Sequence, residues 1–581
     1  MIEYRMPIPA RAYNTAVGGH VCGPEDIDFG QKVIHLIKYD RNGNEVSFES
    51  QVTQANKIYV IHDDFTLSSN VTIPSNSVLE FDGGSVNCSN YVITGNKMPT
   101  NVVYTPEQFG AGKTSDDTKA IQSCVNLAKN VRMDGRYSVY IAVTYTPKGG
   151  YCISVPSNTD ILMNGTITYL TTDVIDYCIF DVNNVHDVCI HGNGKYVGDR
   201  LIHEGDGGEW GSAIYIQQSH DITIDGGEIV DFWGDGLYCG YVNDAQNPLT
   251  TCNYNITIKN LYIHDYRRQG ISICGGHHFV VQDCVIKDQH SESVGYEGSA
   301  IDVEIHQAAN VISDVELINI KSNTNKIFIQ AQGFVTSIHN IRIKYCDVTG
   351  ISVEDMNSDC IIQDCRFSGI SSYRCESTYH KGNVASFINC IFGGVTIGAP
   401  TKFENCEIYG IGTTDSIDPD GDNIEFFNCR LKFASVNSST TLRNPSGYQM
   451  EFYDCNIVFE EYTSYQIISS CIFKRCLIDF YDNAYGMYEA EDCEIIVRQL
   501  KSTSEYIFYA DNLTMYHCLI RILGTKTFTL YRLNRQRGGV YNDLINEGSV
   551  VISDVARNKT YGSDNTLYDA GTVYITNHQI A

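Results

Sequence analysis

Two neighbouring segments, Asn389-Cys390-Ile391-Phe392 and Asn405-Cys406-Glu407-Ile408, show the element that decides the fold: a polar residue, a cysteine and a stretch rich in β-forming residues. From Cys346 to Cys518, successive cysteines of this kind are 19, 25, 16, 23, 26, 21, 17 and 25 residues apart. Repeats of this length with variable insertions indicate a solenoid, and the irregular spacing favours β-coils over helical pairs. The sequence therefore predicts an all-β fold, a right-handed single-stranded parallel β-helix. The cysteines of the series are Cys284, Cys346, Cys365, Cys390, Cys406, Cys429, Cys455, Cys476, Cys493 and Cys518.

These cysteines are predicted to stack inside the solenoid as free thiols. Equivalent positions of successive coils lie about 4.8 Å apart, and an unpaired cysteine behaves as a small buried hydrophobe. The chain has 22 cysteines and no C-x-x-C pair, so disulfides and metal ligation are the less favoured alternatives. We predict no cofactor and no metal, and folding in a reducing compartment.

One acidic segment, Asp418-Pro419-Asp420-Gly421-Asp422-Asn423, invites a calcium-loop interpretation. It lacks the glutamate that an EF-hand places downstream. Its Asp, Pro and Gly residues are typical of a turn, which is the interpretation we prefer.

The composition excludes several partners. A formal net charge of −28 over 581 residues disfavours nucleic acid and acidic membrane surfaces. No run of 18 apolar residues occurs, so no membrane span is predicted. The first residues contain no apolar signal segment, so we expect synthesis in the cytosol.

Four regions are expected along the chain. They are an N-terminal attachment-like module (1–55), a short β-strand region (56–106), the parallel β-helix (107–525) and a small β-rich C-terminal cap or trimer contact (526–581). One short helix is expected where Thr114 and Ser115 supply a hydroxyl cap and Asp116 and Asp117 an acidic first turn. Its apolar face would cover the open end of the solenoid. That face consists of Ala120, Ile121, Cys124, Val125 and Ala128.

A second repeated element aligns the segments 213–217, 236–240, 270–274, 300–304, 326–330 and 350–354. Strand alternation places the aliphatic residues of these segments inside and the other side chains on the outer face. The outer face would then carry Tyr215, Tyr238 and Phe328, with Asp302 and Glu304 between them along the coil order.

Asp302 and Glu304 are the predicted catalytic pair. They are two residues apart on one strand face, so their backbones lie roughly 6.8 Å apart. Asp235, two coils earlier and roughly 9.6 Å away along the axis, is the substitute partner. Paired carboxylates at such separations suit glycoside hydrolysis, which needs one acid and one base or nucleophile. The alternative is a solvated charged face without catalytic meaning.

The predicted substrate-binding residues surround this pair. An arginine near the carboxylates would keep one of them ionised or clamp an acidic sugar. The tyrosines and the phenylalanine would offer flat surfaces to sugar rings. The full set is Arg267, Arg268, Tyr215, Tyr238, Phe328 and His306.

Two segments carry a resemblance to a known superfamily. Phe109-Gly110-Ala111-Gly112-Lys113-Thr114-Ser115-Asp116-Asp117-Thr118-Lys119-Ala120-Ile121-Gln122 resembles the opening signature of pectate-lyase-like β-helix proteins, and Pro147-Lys148-Gly149-Gly150-Tyr151-Cys152-Ile153 resembles their first coil. The resemblance covers about residues 107–525. The superfamily includes polygalacturonases, polysaccharide lyases, epimerases and phage tailspikes. The paired aspartates, Gly-His-Gly and Arg-x-Lys motifs of polygalacturonases are not reproduced here, and only Gly234-Asp235-Gly236 is faintly similar.

The strands at 56–86 and the N-terminal module are similar to tailspike and tail-fibre proteins of phages of gut Bacteroides-type bacteria. The resemblance implies a homotrimer in the virion tail, made in the host cytoplasm, that binds a bacterial surface polysaccharide and contacts other tail proteins through its N-terminal module. A depolymerase activity, as endo-glycosidase or lyase, is the enzymatic version of this hypothesis. The alternatives are a stand-alone extracellular polysaccharide lyase or glycoside hydrolase of bacterial origin, and a non-enzymatic structural or adhesion β-helix of a phage particle.

Overall fold

The computed structural model describes residues 32–146, 149–171, 173–205, 207–208, 210–240, 252–290, 298–305, 311–330, 338–354, 360–374, 385–398, 401–413, 424–433, 450–459, 466–480, 484–497, 506–512, 514–516, 518–523, 529–535, 542–547, 559–561, 567–569 and 573–578. The chain forms two compact units. The first contains residues 1–240, 251–271 and 289–297, and the second contains residues 241–250, 272–288 and 298–581. The segment Asp418–Asn423 and residue His306 lie outside the described residues.

Among the described residues of the first unit are short strands and three short helical segments. The helical segments are α1 (Phe48–Gln51), a 3₁₀ turn (Pro106–Phe109) and α2 (Thr118–Leu127). Its strands are β1 (Lys32–His35), β2 (Lys57–Ile61), β3 (Asp64–Thr66), β4 (Val71–Thr72), β5 (Val78–Phe81), β6 (Ser85–Asn87), β7 (Ile93–Thr94), β8 (Val103–Tyr104), β9 (Asn130–Met133), β10 (Arg136–Val139), β11 (Val143–Thr146), β12 (Gly149–Ser154), β13 (Thr159–Met163), β14 (Thr166–Tyr169), β15 (Asp176–Asn183), β16 (His186–His191), β17 (Lys195–Val197), β18 (Trp210–Gln217), β19 (His220–Asp225), β20 (Glu228–Val230), β21 (Leu237–Cys239), β22 (Tyr254–Lys259) and β23 (Tyr262–His264). Strand β24 (Gln269–Ile273) contains residues of both units.

The second unit contains strands alone among its described elements. They are β25 (Gly276–Gln282), β26 (Val285–Lys287), β27 (Ser299–Glu304), β28 (Ile312–Ile318), β29 (Lys326–Gln330), β30 (Ile338–Lys344), β31 (Asp347–Val348), β32 (Ile351–Glu354), β33 (Cys360–Gln363), β34 (Arg366–Arg374), β35 (Ala385–Ile388), β36 (Ile391–Gly398), β37 (Thr401–Glu404), β38 (Glu407–Ile408), β39 (Ile411–Thr413), β40 (Ile424–Phe427), β41 (Arg430–Phe433), β42 (Met450–Tyr453), β43 (Asn456–Phe459), β44 (Gln466–Lys474), β45 (Leu477–Phe480), β46 (Ala484–Glu491), β47 (Glu494–Val497), β48 (Tyr506–Asn512), β49 (Thr514–Tyr516), β50 (Leu519–Leu523), β51 (Thr529–Arg535), β52 (Asn542–Glu547), β53 (Lys559–Tyr561), β54 (Leu567–Asp569) and β55 (Val573–His578).

Parallel pairing between successive coils builds both units. In the described part of the first unit, β9, β13, β16, β19 and β22 form one parallel sheet, and β10, β14, β17, β20 and β23 form a second. Strands β12, β15, β18 and β21 form a third. In the second unit, β25, β28, β30, β33, β35 and β37 pair in parallel, as do β27, β29, β32, β34 and β36. The predicted right-handed parallel β-helix is therefore confirmed.

Parallel pairing also continues outside the predicted limits of 107 and 525. Strand β1, in the segment assigned to a separate N-terminal module, pairs with β2. At the other end, β50 pairs with β52 and β52 with β55. The cysteine element marks where a thiol fits the interior, whereas the pairing itself needs only extended backbone.

The predicted cysteine ladder is confirmed. All nine cysteines from Cys346 to Cys518 in the series are at most 2% exposed, and none of them forms a disulfide. Neighbouring coils are in direct contact through them: the backbone N–H of Cys346 donates to Cys365 Sγ at 3.4 Å, and that of Cys429 donates to Cys455 Sγ at 3.4 Å. Burial raises the pKa of the Cys406 thiol, which favours its neutral form.

A separate physical reason explains why a polar residue recurs directly before the ladder cysteines. Where the structure describes them, these residues turn the corner with a left-handed backbone, with φ of 54° at Asn389 and Asn405 and 50° at Asn428. Asn and Asp tolerate this conformation better than most other non-glycine residues. Their side chains also stack: Asn405 Nδ2 donates to Asn389 Oδ1 at 3.3 Å, and Asn428 Nδ2 donates to Asn405 Oδ1 at 2.7 Å.

For helix α2, the predicted buried face is confirmed and the predicted first residue is wrong. Ile121 and Val125 are fully buried, as the apolar pattern predicts. The helix begins at Thr118, so the two acids precede it rather than forming its first turn. Asp117 is the N-cap residue, yet its carboxylate accepts hydrogen bonds from the N–H groups of Gly112 and Ser138, at 2.7 and 2.8 Å. Asp117 therefore fixes the preceding loop to β10 instead of capping the helix.

A column of phenylalanines fills the interior of the second unit. The rings of Phe387, Phe403, Phe426, Phe452 and Phe473 stack with centroids 5.1, 4.9, 4.6 and 4.9 Å apart. Each ring is at most 2% exposed. Every ring therefore supports its neighbours in both directions along the solenoid.

Phe426→Ala should lower the free energy of unfolding by about 3–5 kcal/mol, because it leaves a cavity between two stacked rings. The matched control is Phe427→Ala, one residue further on the outer face, where the ring is half-buried and stacks on Tyr453 at 4.9 Å. This variant should lose only about 1 kcal/mol. Urea unfolding followed by circular dichroism measures both, and equal losses would contradict the assignment of Phe426 to the interior column.

Candidate functional site

The second unit carries two neighbouring columns of outer-face side chains, and both predicted catalytic residues lie in them. The first column is Asp302, Phe328 and Ser352, and the second is Glu304, Gln330 and Glu354, each in register across β27, β29 and β32. The side chains that alternate with them in β27, Ile301 and Val303, are fully buried in the interior. Strand alternation thus puts Asp302 and Glu304 together on the face of β27 opposite to Ile301 and Val303, and their catalytic roles stay predictions.

This face is polar but shielded. Asp302 is 3% exposed, Glu304 8% and Ser352 1%, which does not fit the solvated charged face considered as an alternative. Gln330 Nε2 donates to Asp302 Oδ1 at 3.3 Å, and Ser352 Oγ donates to Glu354 Oε1 at 3.2 Å. The buried carboxylates of Asp302 and Glu304 and the half-buried carboxylate of Glu354 thus lie on one face with hydrogen-bond donors between them. Such an arrangement can support proton transfer.

The first unit places two predicted aromatic residues together. Tyr215 and Tyr238 are in register across β18 and β21, and their rings stack 5.4 Å apart with an 8° angle between planes. Both side chains are half-buried. They form a partly exposed aromatic ladder with a phenolic hydroxyl on each ring.

Asp181 extends this ladder by one coil, next to Tyr215 in the register of β15 and β18. It is 8% exposed, and burial raises the pKa of its carboxyl to about 6. Asp181 lies outside the six repeated segments from which the outer face was predicted. Aligning one more coil upstream would have found it, because Phe180 and Asp181 fall opposite Ile214 and Tyr215.

Asp235 and Arg268 also meet in the first unit. The carboxylate of Asp235 is almost fully buried and lies 4.0 Å from an Nη atom of Arg268, whose side chain is 21% exposed. Asp235 Oδ1 also accepts a hydrogen bond from the N–H of Gln269 at 3.1 Å. The expectation that an arginine accompanies this carboxylate is met, and its pairing with Asp302 stays a prediction.

Arg267, which was predicted to bind substrate, is buried. It is 3% exposed, and its guanidinium lies over the ring of Trp233 at 3.9 Å. Its Nε donates to the carbonyl of Trp233 at 2.5 Å, and its Nη2 donates to the carbonyl of Gly208. Arg267 thus packs a loop against the solenoid, and of the two predicted arginines Arg268 has the exposed guanidinium.

A buried polar network lies beside that loop. His203 Nδ1 and Asp199 Oδ2 are 2.6 Å apart, and neither side chain has any exposure. Tyr177 donates to the other oxygen of Asp199, and His203 stacks on Trp233 at 3.9 Å. Burial raises the pKa of Asp199, and the hydrogen bonds from Tyr177 and His203 oppose that shift. Since the side chains of Asp199 and His203 are fully buried, we assign the network a role in shaping the loop.

Residues 130–310 match the protein family described as right handed beta helix region. The match and the sheet organisation place the protein in the class of right-handed parallel β-helices. Among the described residues, no helix has the length and apolar character that crossing a membrane requires.

Two curated relatives come from Bacillus subtilis. The uncharacterized protein YclG is 26% identical over 273 residues, which are 43% of this chain and 44% of the relative. The SPbeta prophage-derived uncharacterized protein YorA is 24% identical over 160 residues, 26% of this chain and 27% of the relative. The chain thus spans less than half the length of either relative.

A solved structure with a weak likeness is a mutant tailspike protein of Escherichia coli bacteriophage HK620 in complex with a hexasaccharide. It is 10% identical, with a TM-score of 0.34, and the alignment covers 71% of this chain and 73% of the tailspike. At this TM-score the likeness does not assign a function.

Asp181→Asn should stabilise the protein near neutral pH. The folded pKa of about 6 lies above the usual value of about 3.9. The favourable contribution of the protonated acid is therefore complete below about pH 4 and is lost as the pH rises through about 6. Above that pH the variant should be more stable than the parent by about 3 kcal/mol, a difference that vanishes below about pH 4.

Urea unfolding of both proteins between pH 4 and 8 measures this difference. Asp173→Asn, at an exposed carboxylate, is the matched control and should show little difference at any pH. A pH-independent difference at position 181 would contradict a buried acid there.

Proposed function

We propose that the protein is a phage tailspike-like protein that binds a bacterial surface polysaccharide on its outer polar face and cleaves it. The shielded carboxylate face of the second unit is the observation that carries the proposal. Asp302 and Glu304 lie side by side on one strand, both less than 9% exposed. Shielding an acid from water costs free energy, and shielded acids are frequent at functional sites.

Asp302 and Glu304 take the acid and base roles in this proposal. Strand geometry separates their backbones by roughly 6.8 Å. Two side chains on one strand face at this spacing can bring their carboxyl groups to the separation of roughly 5–9.5 Å that glycoside hydrolysis requires. The amide of Gln330 donates to Asp302 at 3.3 Å, which favours the ionised form of that acid. In this proposal Asp302 takes the base or nucleophile role and Glu304 the acid role.

Sugar binding is assigned to the aromatic and basic residues. Tyr215 and Tyr238 supply apolar ring surface and hydroxyls in the first unit, and Phe328 lies next to Asp302 in the second. Arg268 would clamp an acidic sugar, which the overall charge of −28 would otherwise repel. His306 keeps its predicted binding role as part of the proposal.

Origin in a phage particle is supported by the prophage derivation of the curated relative YorA and by the free, buried thiols, which suit folding in a reducing cytoplasm. We therefore place the protein in a virion tail, with the N-terminal region contacting other tail proteins.

Asp302→Asn and Glu304→Gln should each lower cleavage about 100-fold or more, because they keep the side-chain shape and remove the proton-transfer group. The full-length protein is incubated with purified capsular polysaccharide from candidate Bacteroides-type hosts, and shortened products are separated by size. Binding to the same polysaccharide should be retained. Products with an ultraviolet-absorbing unsaturated end would identify a lyase rather than a hydrolase.

Glu316→Gln is the matched control, since Glu316 is an exposed acid on β28 of the same unit. It should cleave at the parental rate. Parental rates in all three variants would place the chemistry elsewhere. If the unmodified protein binds a capsule without shortening it, the catalytic part of the proposal fails and the protein is a non-enzymatic adhesion β-helix.

A homotrimer is the assembly we propose. Long parallel solenoids form their contacts between coils, fold slowly and expose extended surfaces that a symmetric oligomer protects. Light scattering coupled to size exclusion should give three chain masses for the full-length protein. A single chain mass at micromolar concentration would contradict this assembly.

A further inference from the structure

Three metal-ligating side chains meet on the outer face of the first unit, on a different sheet from Tyr215 and Tyr238. Strands β13 and β16 pair in parallel with Asp160 opposite Cys189 and with Leu162 opposite His191. The residues between them, Ile161 and Ile190, point inward and are at most 1% exposed. Asp160, Cys189 and His191 therefore share one outer face across two successive coils.

The three side chains are close enough to hold one ion. One ligand atom from each of Asp160, Cys189 and His191 lies within 4.8 Å of the other two. His191 Nε2 and Asp160 Oδ1 are 2.7 Å apart, and their side chains are 26% and 44% exposed. An ion can therefore reach the group from solvent. Among the described residues no other group of three such side chains meets this distance.

The cysteine is unusual for this chain. Of the described cysteines, Cys189 and Cys252 are half-buried and the others are buried. A thiol on the outer face does not belong to the interior ladder, so the packing argument for cysteine does not apply to Cys189. Its position two residues before His191 puts both side chains on the same face of one strand.

The donor set suits zinc. Zn²⁺ binds thiolate sulfur, imidazole nitrogen and carboxylate oxygen at about 2.0–2.3 Å, usually with tetrahedral geometry. Ligand atoms around such an ion lie roughly 3.3–3.8 Å apart, so small side-chain rotations would bring the three atoms to the required positions. The backbone of all three residues is held by interstrand pairing.

The surroundings leave one coordination position for a further ligand. Asp225 is next to His191 in the register of β16 and β19, but its carboxylate is engaged by Asn260 Nδ2 at 2.6 Å and Lys259 Nζ at 3.2 Å. A zinc ion at this site would have three protein ligands and a water or another small donor in the fourth position.

We propose that Asp160, Cys189 and His191 form a Zn²⁺ site that joins two successive coils of the first unit. This inference is independent of polysaccharide binding. The alternative is a surface His–Asp pair beside an uninvolved thiol. The chain offers comparisons for that alternative, because His186–Asp187 and His220–Asp221 are pairs with the same 2.7 Å separation.

Cobalt(II) provides the test, since a Co²⁺–thiolate bond gives a near-ultraviolet charge-transfer band and tetrahedral Co²⁺ absorbs in the visible. Full-length protein is treated with a chelator, dialysed and titrated with Co²⁺. One equivalent per chain should produce both signals, and Zn²⁺ should abolish them by displacement. Cys189→Ser should remove the charge-transfer band, and His191→Ala or Asp160→Asn should weaken binding and shift the visible spectrum.

His186→Ala and Cys252→Ser are the matched controls and should titrate like the parent. Circular dichroism of each variant checks that the fold is intact. The proposal is overturned by the absence of a thiolate band at saturating Co²⁺, by a band that persists in Cys189→Ser, or by spectra that are unchanged in both His191→Ala and Asp160→Asn.

Discussion

The hydrogen-bonded parallel pairing of successive coils is the constraint on which the rest of the structure depends. It fixes neighbouring strands about 4.8 Å apart, so each side chain lies directly on its equivalent in the next coil. A residue type that packs well once therefore packs well repeatedly, as the stacked rings of Phe403, Phe426 and Phe452 illustrate at 4.9 and 4.6 Å. The loops between strands are not constrained by this pairing and can differ in length. The repeat is therefore regular in residue type, while the number of residues between successive cysteines varies.

The repeated polar residue and the cysteine satisfy two separate structural requirements at the same corner of each coil. The cysteine fills a narrow interior position, where Cys390 and Cys406 have at most 2% exposure. The residue before it must adopt a left-handed backbone, which Asn389 and Asn405 do at a φ of 54°. Position 475 shows that side-chain pairing can outweigh this preference: Arg475 has a φ of 54° and forms two hydrogen bonds with Asp454.

Strand alternation made the fold and the outer-face positions of Asp302, Glu304, Tyr215 and Tyr238 predictable, because it depends only on which residues are apolar. The surroundings of those positions were not predictable. Whether an outer-face side chain is covered depends on loops whose course has no simple sequence rule, and Arg267 is buried by Trp233 for this reason. The Asp199–His203 pair likewise belongs to a loop conformation rather than to a repeat.

Sites in such a fold are assembled across coils, and this affects how they can be found. Gln330 and Asp302 are 28 residues apart in sequence and joined by a hydrogen bond, while His191 and Asp160 are 31 residues apart and adjacent. Ligand motifs with short fixed spacings describe helices and tight loops, so they do not detect these groups. The useful comparison is between equivalent positions of neighbouring coils. Applied to outer-face positions, it identifies Cys189 as a thiol without an interior role and places a carboxylate and an imidazole beside it.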